Sequence, residues 1–153
     1  IAFILKEDIQ GPEITKEDVI SATEKIVPCF EIVDSRIDDW KIKIQDTIAD
    51  NASCGIFVLG EGSSSPDKFQ MNELEVIVHK NGEFLSSGLG SAVQGHPAEA
   101  VAWLANTLGE YDIPLLKGEF ILSGSLVPLE PAIAGDCFSM ELKGVGTCEI
   151  NFI

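Results

Sequence analysis

Basic residues are scarce in this sequence: ten Lys and Arg stand against 25 Asp and Glu in 153 residues, a formal net charge of −15. So acidic a surface repels phosphate backbones and anionic lipid, which argues against nucleic-acid or membrane binding as the main role. A bound metal could still draw in a small anion, because an ion's own charge can dominate its site. Long apolar runs are missing too. A stretch such as Ala100–Ala105 falls far short of the roughly 20 residues that a helix needs to cross a bilayer. No basic segment precedes an apolar stretch at the start, so no signal peptide is read. Only two histidines occur, His79 and His96, with no partner pattern and no Gly-x-Ser-x-Gly elbow, which leaves a serine-hydrolase reading without support. The four cysteines (Cys29, Cys54, Cys137 and Cys148) stand singly at spacings of 25, 83 and 11. That is neither a disulfide framework nor a zinc knuckle, and it predicts reduced, mostly buried thiols in a cytoplasmic protein.

What is present is ordinary globular material. The chain is 45% hydrophobic and 23% charged, and a chain of this mass buries about two-thirds of its surface on folding. One domain over residues 1–153 is expected, with no internal repeat and no linker. Ile1–Lys6 reads as a buried strand that opens without Met or a polar lead-in, like the middle of a strand; a fragment or processed chain is the expectation. Thr15 with Asp18 three residues on forms a capping box. The helix it heads is expected to carry Val19, Ile20, Thr23, Ile26 and Val27 on one face until Pro28. Cys29–Ile37 is strand-like, Trp40–Asp50 fits strand and helix alike, Gly55–Leu59 reads as a short buried strand, and Gly60–Asp67 as a flexible surface loop. Asn81-Gly82 between two β-rich runs predicts a type I′ hairpin. Pro97–Leu108 has the spacing of an amphipathic helix, with His96 as its cap. Glu119–Leu122, Cys137–Leu142 and Thr147–Phe152 complete a β-rich α+β pattern.

Three clusters could carry chemistry. Glu31 lies between Phe30 and Ile32, where a carboxylate is costly to bury unless it is paired or metal-bound; the alternatives are a residue facing water and an ion pair with Arg36. Asp50-Asn51-Ala52-Ser53-Cys54-Gly55 could present amide and hydroxyl donors to an anionic ligand, or be a plain turn into a strand. Ser123-Gly124-Ser125 has the same two readings. Gly88-Leu89-Gly90 with Gly95 has the wrong spacing for a dinucleotide loop, and the Asn51-Ala52-Ser53 sequon has no secretory context.

Taken together, Ile1–Leu5 (IAFIL), Glu31–Arg36 (EIVDSR), Asp39–Leu59 with its ADNAS, Gly88–Asn106 through GHP and AVAWLAN, Gly118–Gly124 (GEFILSG) and Gly144-Val145-Gly146 carry a resemblance. They resemble the 2-keto-4-pentenoate hydratase and 4-oxalocrotonate decarboxylase group of the fumarylacetoacetate hydrolase superfamily. The resemblance implies a mixed-sheet, β-roll or barrel-like α+β fold. It also implies a divalent metal, Mg²⁺ or Mn²⁺, held by a Glu-x-Glu pair and a third acidic residue, which Glu31 matches. The pair belongs directly before Ile1, and the family's N-terminal segment, with a lysine and an aspartate implicated in proton transfer, belongs further upstream. Asn51, Ser53, Ser123 and Gly124 would bind substrate, and Asp34 and Arg36 would orient Glu31. The implied reaction is hydration of 2-hydroxypenta-2,4-dienoate to 4-hydroxy-2-oxopentanoate in the meta-cleavage catabolism of aromatic compounds. The alternatives are decarboxylation of 4-oxalocrotonate and a non-catalytic partner or truncated core. A homo-oligomer, associated with the cognate decarboxylase, is the implied assembly. Several hydrolases of the superfamily carry a lysine near Asn51; its absence argues against C–C hydrolysis, and WKIKIQDTIADNASCGIFVLG resembles the hydratases more than the decarboxylases.

Overall fold

The clearest local signal is also the plainest piece of the computed structural model, which describes residues 1–153. Asn81 and Gly82 are both left-handed, with φ of 55° and 82°, as a type I′ turn requires. They join β5 (Glu75–Lys80) to β6 (Glu83–Leu89). On the other edge of β5 lies β8 (Cys137–Leu142), followed by β9 (Gly146–Asn151), giving a four-stranded sheet in the order β6-β5-β8-β9. Directly paired residues share a face, so the pairs Val76↔Leu142 and Val78↔Met140 put these four side chains on one side of the sheet.

A second sheet has the order β2-β1-β7, with β1 (Ala2–Leu5) in the centre, β2 (Thr23–Val27) on one edge and β7 (Phe120–Leu122) on the other. A separate ribbon pairs β3 (Cys29–Val33) with β4 (Cys54–Leu59). Every pair is antiparallel. The β-rich α+β class is as expected, while the mixed strand direction is corrected: hairpins and returning loops, without helical crossovers, leave no parallel pair.

Two helices cover the core. In α1 (Lys16–Ala22), Thr15 caps through its hydroxyl and Asp18 reaches back to the Thr15 amide at 2.9 Å, the capping box read in the sequence. In α3 (Pro97–Gly109), His96 is the cap, its Nδ1 accepting from the Ala98 amide at 3.1 Å. Ala98, Val101, Ala102 and Ala105 of α3 are buried, and α1 packs against the same helix. Asn106 ties the two together: its Oδ1 accepts from the Ile14 amide and its Nδ2 donates to the Ile14 carbonyl, both at 2.8 Å. No helix is long and apolar enough to cross a membrane.

Four local expectations change. The first helix ends at Ala22, where the Thr23 hydroxyl donates to the Val19 carbonyl at 2.7 Å. Ile26 and Val27 then pair with Phe3 and Ala2, so a ladder with a buried strand wins over helical periodicity for these β-branched residues. The expected buried strand at Gly55–Leu59 does form, but in a two-stranded ribbon both faces stay partly open: Ile56 is exposed on one, and Phe57 on the other remains exposed although the Phe120 ring lies 6.0 Å away. The segment Gly60–Asp67 is pinned by bridges from Glu61 to Thr147 and from Ile26 to Ser64. All four cysteines are free, yet only Cys148 is buried; the other three are half-buried. Trp40–Asp50 resolves into a short 3₁₀ turn at Asp38–Trp40 and the helix α2 (Ile44–Ala49).

Candidate active site

A cavity of about 700 Å³ lies between the β3–β4 ribbon and the four-stranded sheet. One wall is β3 and its continuation, including Glu31, Asp34 and Trp40; another is the Val76, Val78, Met140 and Leu142 face of the sheet. The loop from Gly124 to Ala132 closes a third side. That loop sits tightly on β6: a Cβ on Gly88 would come within 2.0 Å of the Leu126 carbonyl oxygen. The glycine that superficially suggested a nucleotide loop is there to let the cavity wall approach a strand.

Glu31 is exposed on β3, opposite Phe57 of β4. Across the ribbon, the Cys54 thiol is pushed above the ordinary range by burial first and then by the negative charge of Glu31. On the other flank, burial pushes the Cys29 thiol up to about 11, with Glu31 adding to the effect. Both thiols therefore stay protonated near neutrality.

Arg36 makes no hydrogen bond or ion pair with Glu31. Its Nε donates to the Asp50 carboxylate, its Nη2 to the Asp50 carbonyl, and its Nη1 to the Cys54 carbonyl at 2.8 Å. Asp50 also accepts from the Arg36 amide at 3.3 Å, the Ser35 hydroxyl at 3.4 Å and the Ser53 hydroxyl at 3.1 Å. The Arg36 guanidinium above all holds the Asp50 carboxyl well below the usual carboxylate range. This clamp fastens the end of β3 to the junction of α2 and β4. It also holds an unusual turn. Asn51, Ala52 and Ser53 are all left-handed, with φ of 51°, 56° and 57°, a conformation costing roughly 1–2 kcal/mol for each such residue. The Ser53 amide donates to the Asp50 carbonyl at 2.9 Å, and the Ser53 carbonyl accepts from the Asp34 amide at 2.8 Å.

The placement of the expected residues is uneven. Glu31, Asp34 and Gly124 border the cavity; Asn51, Ser53, Ser123 and Arg36 do not. Asn51 is exposed at the left-handed turn. Ser53 is buried and gives its hydroxyl to Asp50, so its side chain shapes the turn instead of facing a ligand. Ser123 is buried beside Gly124, its amide donating to the Ile1 carbonyl at 3.1 Å, which holds the end of β7 against the start of β1. Asp50 is the residue that sequence reasoning missed as a fixed point. The cluster beginning there was visible, but its pairing with Arg36, fourteen positions away, was not.

A hard dication takes about six oxygen ligands in octahedral geometry. No three His, Cys, Asp or Glu side chains in the chain converge in a way that could hold one. Glu31 supplies one exposed carboxylate at the cavity, so the 153 residues by themselves do not close a metal site.

The chain is 64% identical over 152 residues to the 2-hydroxyhexa-2,4-dienoate hydratase of Comamonas testosteroni, covering 99% of this chain and 58% of that protein. It is 59% identical over 113 residues to a 2-hydroxypent-2,4-dienoate hydratase of Pseudomonas putida, covering 74% of this chain and 51% of the relative. Among solved structures, the 4-oxalocrotonate decarboxylase from Pseudomonas putida G7, complexed with magnesium and adipate, superposes with a TM-score of 0.94 at 34% identity. That match covers 99% of this chain and 58% of the decarboxylase. The chain thus spans little more than half the length of these relatives. The fumarylacetoacetate (FAA) hydrolase C-terminal family matches residues 1–153, and the chain belongs to that family.

Proposed function

We propose that this chain is the C-terminal part of a hydratase that adds water to 2-hydroxypenta-2,4-dienoate or a close homologue, giving a 4-hydroxy-2-oxo acid in aromatic catabolism. The observation that carries the reading is the 64% identity to a dienoate hydratase over 152 residues, 99% of this chain. The decarboxylase shares the fold, with a TM-score of 0.94, but only 34% of the residues.

In this reading Glu31 contributes one carboxylate to a Mg²⁺ or Mn²⁺ centre. Its remaining ligands, by the family resemblance, come from a Glu-x-Glu pair preceding Ile1. When bound, such an ion would chelate the substrate's carboxylate and 2-oxygen and stabilise negative charge there. The chain's own residues do the positioning. The Arg36–Asp50 clamp sets β3, and with it Glu31, against the cavity. Gly124, left-handed at φ 99°, turns the chain after Ser123 towards the place assigned to the substrate carboxylate. Asn51, exposed at the left-handed turn and outside the cavity lining, is assigned to the substrate by the family resemblance alone. Asp34 acts through its amide, which anchors Ser53. A cytoplasmic homo-oligomer, associated with the cognate decarboxylase, completes the proposal.

The experiment is turnover of 2-hydroxypenta-2,4-dienoate by the full-length protein and its Glu31→Ala variant, with Mg²⁺ and Mn²⁺ binding measured by calorimetry. Hydration without CO₂ release, with metal binding and turnover lost together in Glu31→Ala, is the expected result. CO₂ release from 4-oxalocrotonate would establish the decarboxylase instead, and a Glu31→Ala variant of undiminished activity would remove Glu31 from the site.

A further inference from the structure

The Gly124–Ala132 loop that closes one side of the cavity is fastened to the β5–β6 hairpin by side chains. Near its start it lies against β6, where Gly88 admits the Leu126 carbonyl, and the Ser125 hydroxyl donates to the Val127 carbonyl at 2.6 Å. Towards its end it meets Lys80, the last residue of β5. The Lys80 Nζ donates to the Pro131 carbonyl at 2.8 Å and lies 3.1 Å from the Asp136 carboxylate and 3.8 Å from Glu130. It also stands 5.1 Å from the centre of the Phe138 ring, which lines the cavity.

Asn81 supplies the left-handed turn, and its side chain has a second engagement. Its Nδ2 donates to Asp136 Oδ1 at 3.0 Å, and its Oδ1 accepts from the Cys137 amide at 2.8 Å. The other Asp136 oxygen accepts from the Ile133 amide at 2.9 Å. Asp136 is buried, where a carboxylate is costly unless its oxygens are met. Asn81 first, then the Ile133 amide, and Lys80 after the opposing effect of burial, set its carboxyl below the ordinary range. One ionised carboxylate thus joins the end of β5, the hairpin turn and the end of the loop. The turn alone would be served by glycine in place of Asn81; only the carboxamide reaches Asp136.

We infer that Lys80 and Asn81 are positioning residues for the cavity: acting through Asp136 and the Pro131 carbonyl, they hold the Gly124–Ala132 loop as the wall against which bound substrate rests. Neither side chain borders the cavity, so both act through the loop. A wall touches substrate alike in the ground and transition states, and loosening it raises KM without lowering kcat. The inference rests on the hydratase reading for the reaction, while the fastening of the loop is tested apart from turnover.

Variants of the full-length protein test it. Lys80→Met keeps an apolar stem beside Phe138 and removes the charge. Asn81→Gly keeps a residue suited to the turn and removes both side-chain bonds, and it carries the test should Lys80→Met fail to fold. Thr15→Ala, at a helix cap outside the cavity lining, is the control for lost stability. With 2-hydroxypenta-2,4-dienoate, KM should rise roughly tenfold in Lys80→Met, the order of one charge-assisted hydrogen bond. It should rise several-fold in Asn81→Gly, kcat should stay within about twofold in both, and Thr15→Ala should leave both constants unchanged. Thermolysin under native conditions reads the fastening itself. Cleavage before Leu129 or Ile133, both exposed, should be several-fold faster in the two loop variants than in the control. A KM unchanged in Asn81→Gly, or a loss confined to kcat, overturns the positioning role, and cleavage no faster than in Thr15→Ala overturns the fastening. If the wild type does not turn over the dienoate, the hydratase reading alone fails, and the thermolysin contrast still decides whether Lys80 and Asn81 hold the loop.

Discussion

On the four-stranded sheet Val78 and Leu142 keep 3% and 1% of their surface in solvent, whereas Ile56 on the β3–β4 ribbon keeps 63%. The sheet, β1 and the two covering helices are held by the burial of large apolar side chains in one cluster. The connection between β3 and β4, from Asp34 to Ser53, has no such interior: Trp40, Ile44 and Ile48 are all exposed. Its order comes from one carboxylate, Asp50, that gathers Arg36, Ser35 and Ser53 around it. Hydrophobic burial is non-directional and tolerates repacking, while a bidentate-capable guanidinium and a carboxylate fix angle as well as distance. The candidate site lies where these two kinds of construction meet, with Glu31 on the directional side and the apolar pocket wall on the other.

Substitutions should separate the two regions. The largest loss is expected in the core, where Phe3 is fully enclosed. Phe3→Ala should cost about 3–5 kcal/mol in urea denaturation; a loss below 1 kcal/mol would mean that the β1 sheet is not the centre of the core.

Asp50→Asn comes next and should act differently. It keeps the shape but removes the charge that Arg36 and two hydroxyls address, so turnover of the full-length protein should fall more than global stability does. The pH dependence has a defined sign. Because the Asp50 pKa is lowered in the folded protein, its contribution is fully present above the ordinary carboxylate value and is lost as pH falls through the depressed one. The acid limb of the stability curve should therefore be shallower in Asp50→Asn than in the wild type, and identical limbs would show that the clamp does not contribute to stability.

Thr15→Ala removes the capping hydroxyl of α1 and should cost about 1 kcal/mol, read from the same denaturation curves. At the start of α3 the cap is an imidazole. Burial first, and then Lys16, lower the His96 pKa, against smaller opposing effects of Glu99 and Glu17. The neutral ring is the acceptor, so its stabilisation is full above the ordinary histidine value and declines as pH falls from there through the lowered one. His96→Asn should keep a cap and flatten that slope between pH 7 and 5. The smallest effect is predicted for Ile48→Lys, at a position 73% exposed. In the 153-residue chain it should stay within about 0.5 kcal/mol of the wild type, and a large loss would reveal a packing role that the isolated ribbon does not show.

Local chemistry was the part most legible in the sequence. Thr15 with Asp18, Asn81-Gly82, and Pro97 after His96 are short-range devices whose partners lie within four residues, and each forms as read. The helix over-read past Ala22 shows the limit: Ile26 and Val27 suit either period, and only the presence of β1 beside them selects the strand. At the site, Glu31 is exposed, as the water-facing alternative had it, so only the resemblance, which identified the family, points it to a metal. The ion pair of Arg36 with Asp50 was not legible, because neighbourhood along the chain does not tell which carboxylate a guanidinium meets.

Composition, caps, turns and the family likeness were thus fixed by the order of amino acids alone, since they depend on neighbours within a turn or two of chain. That Ile56 and Phe57 of β4 would stay exposed, which carboxylate Arg36 would hold, and which sheet face would line the cavity were decided by the tertiary structure. Each of those depends on segments far apart in sequence whose approach is set by the burial of the core as a whole.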